Sequence, residues 1–322
     1  MLKERTSALT VIELFAGIGT QLHALKEVYP EVQSLGISEI DSKPLKAYTA
    51  LLGCPHNFGD ITKIESLPKA DIWTYSFPCT DLSIAGKQKG FSGEHSSLIY
   101  EVYRLLLTSE KPKILLMENV ANICNTNFMP KFQDWINSLK ELGYTSSWQK
   151  IKAHQFGGGT VRERVFMVSV LNAEKAFKFP SPISISTTIK DFLEPVNENY
   201  KIDSYKGPAD ITVPYYAGAK KLTDYNNGGQ GNRIYSILGQ GVTLTAQGGG
   251  KAGSSGGLYV RDGDIYKLSP IEMCRVMGWS IEDAHKICAV LTPREVGFCL
   301  GNAIDRNVLV HIFKAIVDQY FE

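Results

Sequence analysis

Residues 9–28 of the chain are Leu-Thr-Val-Ile-Glu-Leu-Phe-Ala-Gly-Ile-Gly-Thr-Gln-Leu-His-Ala-Leu-Lys-Glu-Val. The apolar run Leu9–Phe15 predicts a buried strand, Gly17 and Gly19 predict the turn after it, and Gln21–Val28 predicts a helix. A glycine turn between a strand and a helix leaves free backbone N–H groups at the helix start, where a ligand can approach. The pattern therefore predicts the first unit of an α/β sheet with a ligand site at its turn.

The same alternation of strand and helix continues through the first half of the chain. Further strands are predicted over residues 34–38, 71–76, 113–117 and 165–170, and amphipathic helices over 97–107 and 130–142. This order predicts an α/β domain with a doubly wound, parallel sheet.

The composition changes after about Pro180. Residues 203–264 are rich in glycine, tyrosine, asparagine, serine and threonine, which is typical of loops and short strands. Because residues 234–237 and 242–245 have the pattern of short strands, we predict a small, mostly β/loop domain, with a flexible insertion as the alternative. A helical pattern returns over 269–277 and 307–319.

Composition and charge exclude several classes of protein. The chain has 322 residues, with 34 Lys+Arg against 33 Asp+Glu, so a uniformly basic nucleic-acid coat is excluded while a local basic cleft is not. No window reaches the roughly 18 uncharged apolar residues of a membrane helix. The first residues lack an apolar signal core, so we expect a cytoplasmic protein that does not bind membranes. The six cysteines are scattered without a Cys-x-x-Cys pair, which argues against a zinc site or a disulfide framework.

Carboxylates follow the predicted strands at one edge of the sheet. Glu39 comes about 20 residues after Gly19, at the end of the second predicted strand, where an acidic side chain can hold ribose hydroxyls. Asp60, in Gly59-Asp60-Ile61, is expected at the end of a third strand. Glu13 lies within the first strand. Three carboxylates near one pocket favour a cationic cofactor without phosphate, such as S-adenosylmethionine, although each one alone would suit a solvated loop.

One cysteine is a candidate nucleophile. Cys79 follows Pro78 directly after a predicted strand, and an exposed cysteine at such an edge can react as a thiolate. Glu118 ends another strand, and Arg162 and Arg164 precede the last one. The topology therefore predicts that a nucleophile, an acid and two cations meet on one rim.

The ordered motifs resemble those of the bacterial DNA (cytosine-5)-methyltransferase family over nearly the whole chain. The matching segments are residues 15–19 for the cofactor loop, Pro78-Cys79 for the nucleophile, Glu118-Asn119-Val120 for the acid, Arg162-Glu-Arg164 for the paired arginines, residues 268–278 for the late helix and Gly301-Asn302-Ala303-Ile304 for the final motif. Two positions depart from the family pattern: Thr80 stands where glutamine is usual, and residues 157–161, including Gly159 and Thr160, replace the usual Pro-Gln.

The resemblance implies a mechanism and a cofactor site. Cys79 would add to C6 of a cytosine, Glu118 would contact N3 and the exocyclic amine, and Arg164, supported by Arg162, would hold the base's carbonyl oxygen. The cofactor would be S-adenosylmethionine, released as S-adenosylhomocysteine, with no metal. The implied cofactor residues are Phe15, Gly17, Ile18, Gly19, Glu39, Ile40, Asp60, Ile61, Pro78, Leu98, Asn302 and Ala303.

The resemblance also implies a double-stranded DNA partner whose target cytosine is flipped out of the helix. Residues 228–236 resemble the recognition loop of such enzymes, with Gln230 filling the vacated space and Arg233 contacting a guanine. The other implied DNA contacts are Ala85, Lys87, Lys89, Thr243, Gln247, Gly249 and Gly250. The likeness favours a short G·C-rich palindrome such as GCGC.

The expected organisation is a catalytic domain of residues 1–186 and 300–322, a target-recognition domain of residues 187–272 and a connecting segment of residues 273–299. We expect a monomer, serving either as the modification enzyme beside a cognate restriction endonuclease or as an orphan or phage methyltransferase. A tRNA cytosine-5 methyltransferase and a catalytically silent DNA-binding homologue remain alternatives. A nicotinamide dehydrogenase is disfavoured because the third glycine of its fingerprint is missing.

Overall fold

The computed structural model describes residues 8–78, 98–184 and 187–321. Within them, the larger sheet has six strands in the order β2-β1-β3-β4-β6-β5. These strands are β1 (Thr10–Leu14), β2 (Gln33–Ser38), β3 (Ile72–Tyr75), β4 (Ile114–Val120), β5 (Tyr144–Lys152) and β6 (Glu163–Leu171). The helices of this half are α1 (Thr20–Val28), α2 (Ser42–Leu52), α3 (Ile99–Thr108) and α4 (Met129–Glu141).

The sheet is buried on both faces. Ile114 and Leu116 of β4 join a core with α1 and the C-terminal helix α8 (Arg306–Tyr320), whereas Leu115 and Met117 join a core with α3 and α4. Side chains of a strand alternate between faces, so a continuous apolar run such as β4 fills both layers. The doubly wound α/β fold is confirmed.

The prediction of an all-parallel sheet is wrong at one edge. Strands β1 to β4 pair in parallel, but β6 pairs antiparallel with both β4 and β5. Residues 153–162 connect β5 to β6, and a parallel crossover needs a dozen or more residues, so this short link forces an antiparallel pair. The sequence pattern missed β5 because its polar run, Thr145–Lys150, lies on the sheet's partly exposed edge.

A second sheet has five strands among the described residues, in the order β7-β11-β10-β9-β8. These are β7 (Lys201–Ser204), β8 (Lys221–Asp224), β9 (Arg233–Ser236), β10 (Leu258–Arg261) and β11 (Asp264–Tyr266). The glycine-rich half of the chain is therefore folded, and its apolar residues Ile234, Leu258 and Ile265 form a small core of their own.

Three helices fill most of the predicted connecting segment: α5 (Pro270–Val276), α6 (Ile281–Val290) and α7 (Pro293–Asn302). Residues of these helices share a core with Ile18 and Ala47 of the first half. The proposed division into domains stays a prediction. Among the described residues no single helix is long and apolar enough to cross a membrane; one pair, Ile281–Val290 with Pro293–Tyr320, passes that test only jointly and is bent by 120°.

Candidate active site

A cavity of about 360 Å³ lies at the carboxyl ends of β1 to β4. This volume is within the roughly 300–1,000 Å³ of small-molecule sites, and the carboxyl edge is where open α/β sheets bind ligands. Residues 15–18 line one wall, residues 39–41 follow β2, residues 76–78 follow β3, and residues 301–304 close the cavity from the end of α7.

The cavity brings together most of the residues that the sequence predicts for the cofactor. Those lining it are Phe15, Gly17, Ile18, Glu39, Ile40, Asp60, Ile61, Pro78, Leu98, Asn302 and Ala303. Lining residues that the prediction missed include Thr20, Gln21, Ser38, Asp41, Pro44, Ser76, Phe77, Asn119, Val120, Phe298, Gly301 and Ile304. Many of these lie within three positions of a predicted residue in the sequence. Including three residues on either side of each motif would have found them.

Gly19 does not line the cavity. It precedes α1 with φ +79°, and a Cβ there would lie 2.6 Å from Leu52 Cδ1 and 2.7 Å from Tyr48 Cδ2. Helix α2 therefore packs against this turn so closely that only glycine fits. The structure shows a packing role for Gly19, and its place in the cofactor site stays a prediction.

Glu39 shapes the rim of the cavity. Its carboxylate accepts hydrogen bonds from the backbone N–H groups of Gly17, at 2.9 Å, and Asp41, at 2.8 Å. Burial raises the pKa of Glu39, against the opposing effect of these N–H donors. Hydrogen bonds from the backbone N–H and the hydroxyl of Thr62 lower the pKa of Asp60. Glu39, with a raised pKa, and Asp60, with a lowered pKa, thus both line the cavity.

Glu13 is the third predicted carboxylate, and its placement at the cavity is wrong. Its side chain is fully buried and accepts hydrogen bonds from Leu22 N–H at 3.0 Å and from the Tyr48 hydroxyl at 2.8 Å. Burial raises the pKa of Glu13 to about 7. Glu13 therefore ties β1 to α1 and α2 rather than facing a ligand.

The Glu13→Gln variant tests this burial. The folded protein binds the Glu13 proton more tightly than the unfolded chain, so ionisation of Glu13 lowers stability as pH rises from 4.5 to about 7. Glutamine does not titrate, so the variant should gain stability relative to the wild type across that window, by up to roughly 3 kcal/mol. Urea unfolding at either end of the window measures the difference; a constant difference would contradict the assignment.

Glu118 and Arg164 form an ion pair at the inner end of the cavity. Arg164 Nε lies 3.2 Å from Glu118 Oε1, because Val120 of β4 stands opposite Arg164 of β6 in the antiparallel register. Burial raises the pKa of Glu118, while Arg164, Arg162 and a hydrogen bond from Ser76 act in the opposite direction. A buried carboxyl with an arginine beside it can hold both the donor and the acceptor edge of a planar base.

Arg162 also reaches the cavity, but its guanidinium is bound to backbone carbonyls. Nη2 donates to the carbonyl oxygens of Gly301, at 2.9 Å, and Ala303, at 2.6 Å, and Nη1 donates to Leu244 at 3.3 Å. The side chain is only 2% exposed. The geometry supports a structural role for Arg162 beside the site.

Cys79 lies outside the described residues, as do the predicted DNA contacts Ala85, Lys87 and Lys89. Pro78, the residue before Cys79, lines the cavity together with Glu118 and Arg164. Among the described residues, no group of His, Cys, Asp and Glu side chains could hold a metal ion.

The predicted DNA-reading residues of the described part of the chain lie in or directly beside two glycine-rich loops that pack against each other; Arg233 begins β9. Ala252 N–H donates to Gly231 O at 2.9 Å, and a Cβ on Gly231 would lie 1.8 Å from Gly249 O. The side chains of Gln230, Arg233 and Gln247 are exposed, as are Gly249 and Gly250, while Thr243 is half-buried. The two loops therefore present one polar surface.

Comparisons with known proteins agree with this geometry. A family model described as "C-5 cytosine-specific DNA methylase" matches residues 9–318. The Type II methyltransferase M.HhaI of Haemophilus parahaemolyticus is 33% identical over 321 residues, which cover 96% of this chain and 94% of that protein. The orphan methyltransferase M.SssI of Spiroplasma monobiae is 32% identical over 272 residues, covering 79% of this chain and 67% of that protein.

A solved structure shows the same fold. The Dnmt2 methyltransferase of S. pombe superimposes with a TM-score of 0.74 at 17% identity, covering 98% of this chain and 100% of that one. The family model spans nearly the whole chain. The chain belongs to the C-5 cytosine-specific DNA methylase family and is a DNA (cytosine-5)-methyltransferase.

Proposed function

We propose that this enzyme methylates cytosine through a covalent Cys79–C6 intermediate, in a short recognition sequence of double-stranded DNA. The observation that carries the proposal is the position of the Glu118–Arg164 pair in the same cavity as Glu39 and Pro78. A base held by Glu118 and Arg164 would lie in the same cavity as Pro78, which directly precedes Cys79 in the sequence. The ion pair, the cofactor rim and Pro78 thus share one edge of the sheet.

The lining of the cavity fits S-adenosylmethionine. Glu39 and Asp60 supply hydroxyl and cation acceptors, and Ile40, which is 78% exposed, offers an apolar surface that an adenine ring would cover. The arginines of the cavity, Arg162 and Arg164, are engaged by carbonyls and by Glu118. When bound, the cofactor supplies an electrophilic methyl group on sulfur. We further propose that the site needs no metal.

The chain's own residues would act on the base in a defined order. The Cys79 thiolate adds to C6, which breaks the C5=C6 bond and makes C5 nucleophilic towards the methyl group. Glu118 donates to N3 while Arg164 holds the carbonyl oxygen, so the charge that builds on the ring is stabilised. The methyl group would pass from sulfur to C5, with S-adenosylhomocysteine as the leaving group. A base would then take the C5 proton, and the C5=C6 bond would re-form as the thiolate leaves.

The target cytosine must leave the DNA stack, at a cost of a few kcal/mol. We assign Gln230 to the space that the base vacates and Arg233 to a guanine edge, since both side chains are exposed on the packed loops. Lys87, Lys89 and Lys251 would contact phosphates. The recognition sequence that this loop favours is a G·C-rich palindrome such as GCGC.

The Glu39→Gln variant should bind the cofactor more weakly. Each carboxylate oxygen of Glu39 accepts one backbone hydrogen bond, Oε2 from Gly17 and Oε1 from Asp41. Each oxygen can accept one more, so the carboxylate can still bind ligand hydroxyls. Loss of a charged acceptor is worth about 1.5–3 kcal/mol, so the Kd should rise roughly 10- to 100-fold. Calorimetry with S-adenosylhomocysteine measures it, and Glu31→Gln, an exposed carboxylate outside the cavity, is the control. An unchanged Kd for Glu39→Gln would contradict the site.

The substrate is tested by supplying a labelled methyl donor with either plasmid DNA or tRNA, followed by bisulfite sequencing of the DNA. We expect label in DNA only and 5-methylcytosine at one short motif; label in tRNA alone would support the RNA alternative. The relatives named as Type II and orphan methyltransferases suggest a role beside a restriction endonuclease or alone. We propose that the protein acts as a monomer.

A further inference from the structure

The buried charge of Arg162 links two segments that lie far apart in the chain. Removing a guanidinium from water costs several kcal/mol, so its partners must hold it firmly. Those partners include the carbonyl of Leu244, and the carbonyls of Gly301 and Ala303. The ion pair with Glu118 is made instead by Arg164, two residues later.

The two segments carry the two halves of the function. Leu244 lies in the recognition segment, which we define as residues 241–250 and which holds Thr243 and Gln247. Gly301 and Ala303 belong to the cofactor wall, defined as residues 301–304, which closes the cavity. The segments also touch directly, because a Cβ on Gly301 would lie 2.1 Å from Ala246 N.

Backbone hydrogen bonds add a second connection beside Arg162. Val161 N–H donates to Gly241 O at 2.8 Å, and Gly241 N–H donates to Gly159 O at 2.8 Å. Residues 159–162 therefore contact the recognition segment twice. Their backbone holds Gly241 at its start, and the guanidinium of Arg162 holds Leu244 further along. If DNA binding moved the recognition segment, the hydrogen bond from Arg162 to Leu244 would change. The same guanidinium also holds Gly301 and Ala303, so the cofactor wall would be affected.

We propose that Arg162 is a positioning residue that couples recognition of the DNA sequence to cofactor binding. The proposal rests on the proposed function of the recognition segment and of the cavity. Coupling is reciprocal, so the cognate duplex and the cofactor must each tighten the binding of the other by the same factor. Arg162 supplies the coupling because its planar guanidinium donates hydrogen bonds to the recognition segment and to the cofactor wall at the same time.

The test compares two Kd values of S-adenosylhomocysteine: one measured without DNA, and one measured with an unmethylated duplex that carries the recognition motif. The ratio of the two values is the coupling factor, which for allosteric proteins is about 5 to 150. Arg162→Lys keeps the charge but lacks the fork that reaches several carbonyls. We expect a coupling factor above about 5 in the wild type and a value close to unity in Arg162→Lys. A wild-type factor close to unity, or an unchanged factor in Arg162→Lys, would overturn the proposal.

Arg104→Lys is the matched control. Arg104 of α3 also donates to two carbonyls, those of Ile61 at 2.9 Å and Ile64 at 2.7 Å, and Ile61 lines the same cavity. Its carbonyl partners lie outside the recognition segment, so its loss should change both Kd values equally and leave the coupling factor intact. Loss of the factor in Arg104→Lys as well would overturn the proposal by showing a general structural effect.

A second variant keeps the proposal falsifiable if Arg162→Lys does not fold. Gly301→Ala leaves Arg162 in place but forces the cofactor wall away from Ala246, so it should also lower the coupling factor. An unchanged factor in a folded Gly301→Ala protein would overturn the proposal. Methylation of the same duplex by the wild type is measured in parallel, because its absence would refute the proposed function rather than the coupling.

Discussion

Replacement of Cys79 with alanine is expected to lower methyl transfer by more than about 10⁴-fold, because no other group can then form the bond to C6. The thiolate is what makes C5 nucleophilic, so the variant should fail at the chemical step rather than at binding. A labelled-methyl assay measures turnover, and separate titrations measure the Kd values for the duplex and for S-adenosylhomocysteine. We expect turnover to vanish while both Kd values remain within a few-fold of the wild type.

Cys124→Ala is the matched control for Cys79. Cys124 follows β4 shortly after Glu118, but burial raises the pKa of its thiol to about 11, so it is not a nucleophile at neutral pH. Its replacement should leave turnover intact. Substantial turnover by Cys79→Ala, or a comparable loss in Cys124→Ala, would contradict the assignment of the nucleophile.

The Glu118→Gln variant is expected to lower kcat by roughly 10²- to 10⁴-fold, the usual contribution of a positioned acid. Burial raises the pKa of Glu118, so its protonated form, which donates to N3, persists further up the pH scale than in an exposed carboxyl. As pH rises through that raised pKa, the acid form and the rate that depends on it are lost. The alkaline limb of the wild-type pH–rate profile should therefore be absent from Glu118→Gln.

Glu272→Gln separates chemistry from the loss of a buried ion pair. Glu272 Oε1 lies 2.8 Å from Arg261 Nη1, both side chains are buried, and neither lines the cofactor cavity. This variant should lose stability but keep kcat near the wild-type value. If Glu118→Gln retained wild-type kcat, or if Glu272→Gln lost as much, the catalytic role of Glu118 would be wrong.

Sequence patterns predicted the position of site residues that directly follow a strand of the parallel part of the sheet. Parallel strands end at one edge, so Glu39 and Glu118 could be placed there from their positions after apolar runs. Asp60 also lines the cavity, but it precedes a short 3-10 helix and does not end a strand as expected. The final motif could be placed at the cavity only through the family resemblance. The antiparallel edge and β5 were missed because the pattern of an exposed, polar strand is weak and carries no direction.

Errors at single residues arise from side-chain direction and long-range packing. Glu13 lies in β1 as predicted, but its side chain points to Tyr48 and Leu22 instead of the cavity. Gly19 lies in the predicted turn, and the close approach of α2 is a reason for glycine there that no local pattern shows. The partners of Arg162 come from residues 82 and more positions away, so no local pattern could show that it joins Leu244 to Gly301.

Trapping of the covalent intermediate tests whether Cys79 bonds to C6 of the target cytosine. A duplex with 5-fluorocytosine at the target position is incubated with S-adenosylmethionine and the native enzyme; fluorine at C5 cannot leave as a proton, so the thiolate cannot be expelled. We expect a denaturant-stable protein–DNA adduct that maps by mass spectrometry to Cys79 and is absent from Cys79→Ala. No adduct with a native enzyme that methylates the unmodified duplex, or an adduct at another residue, would contradict it.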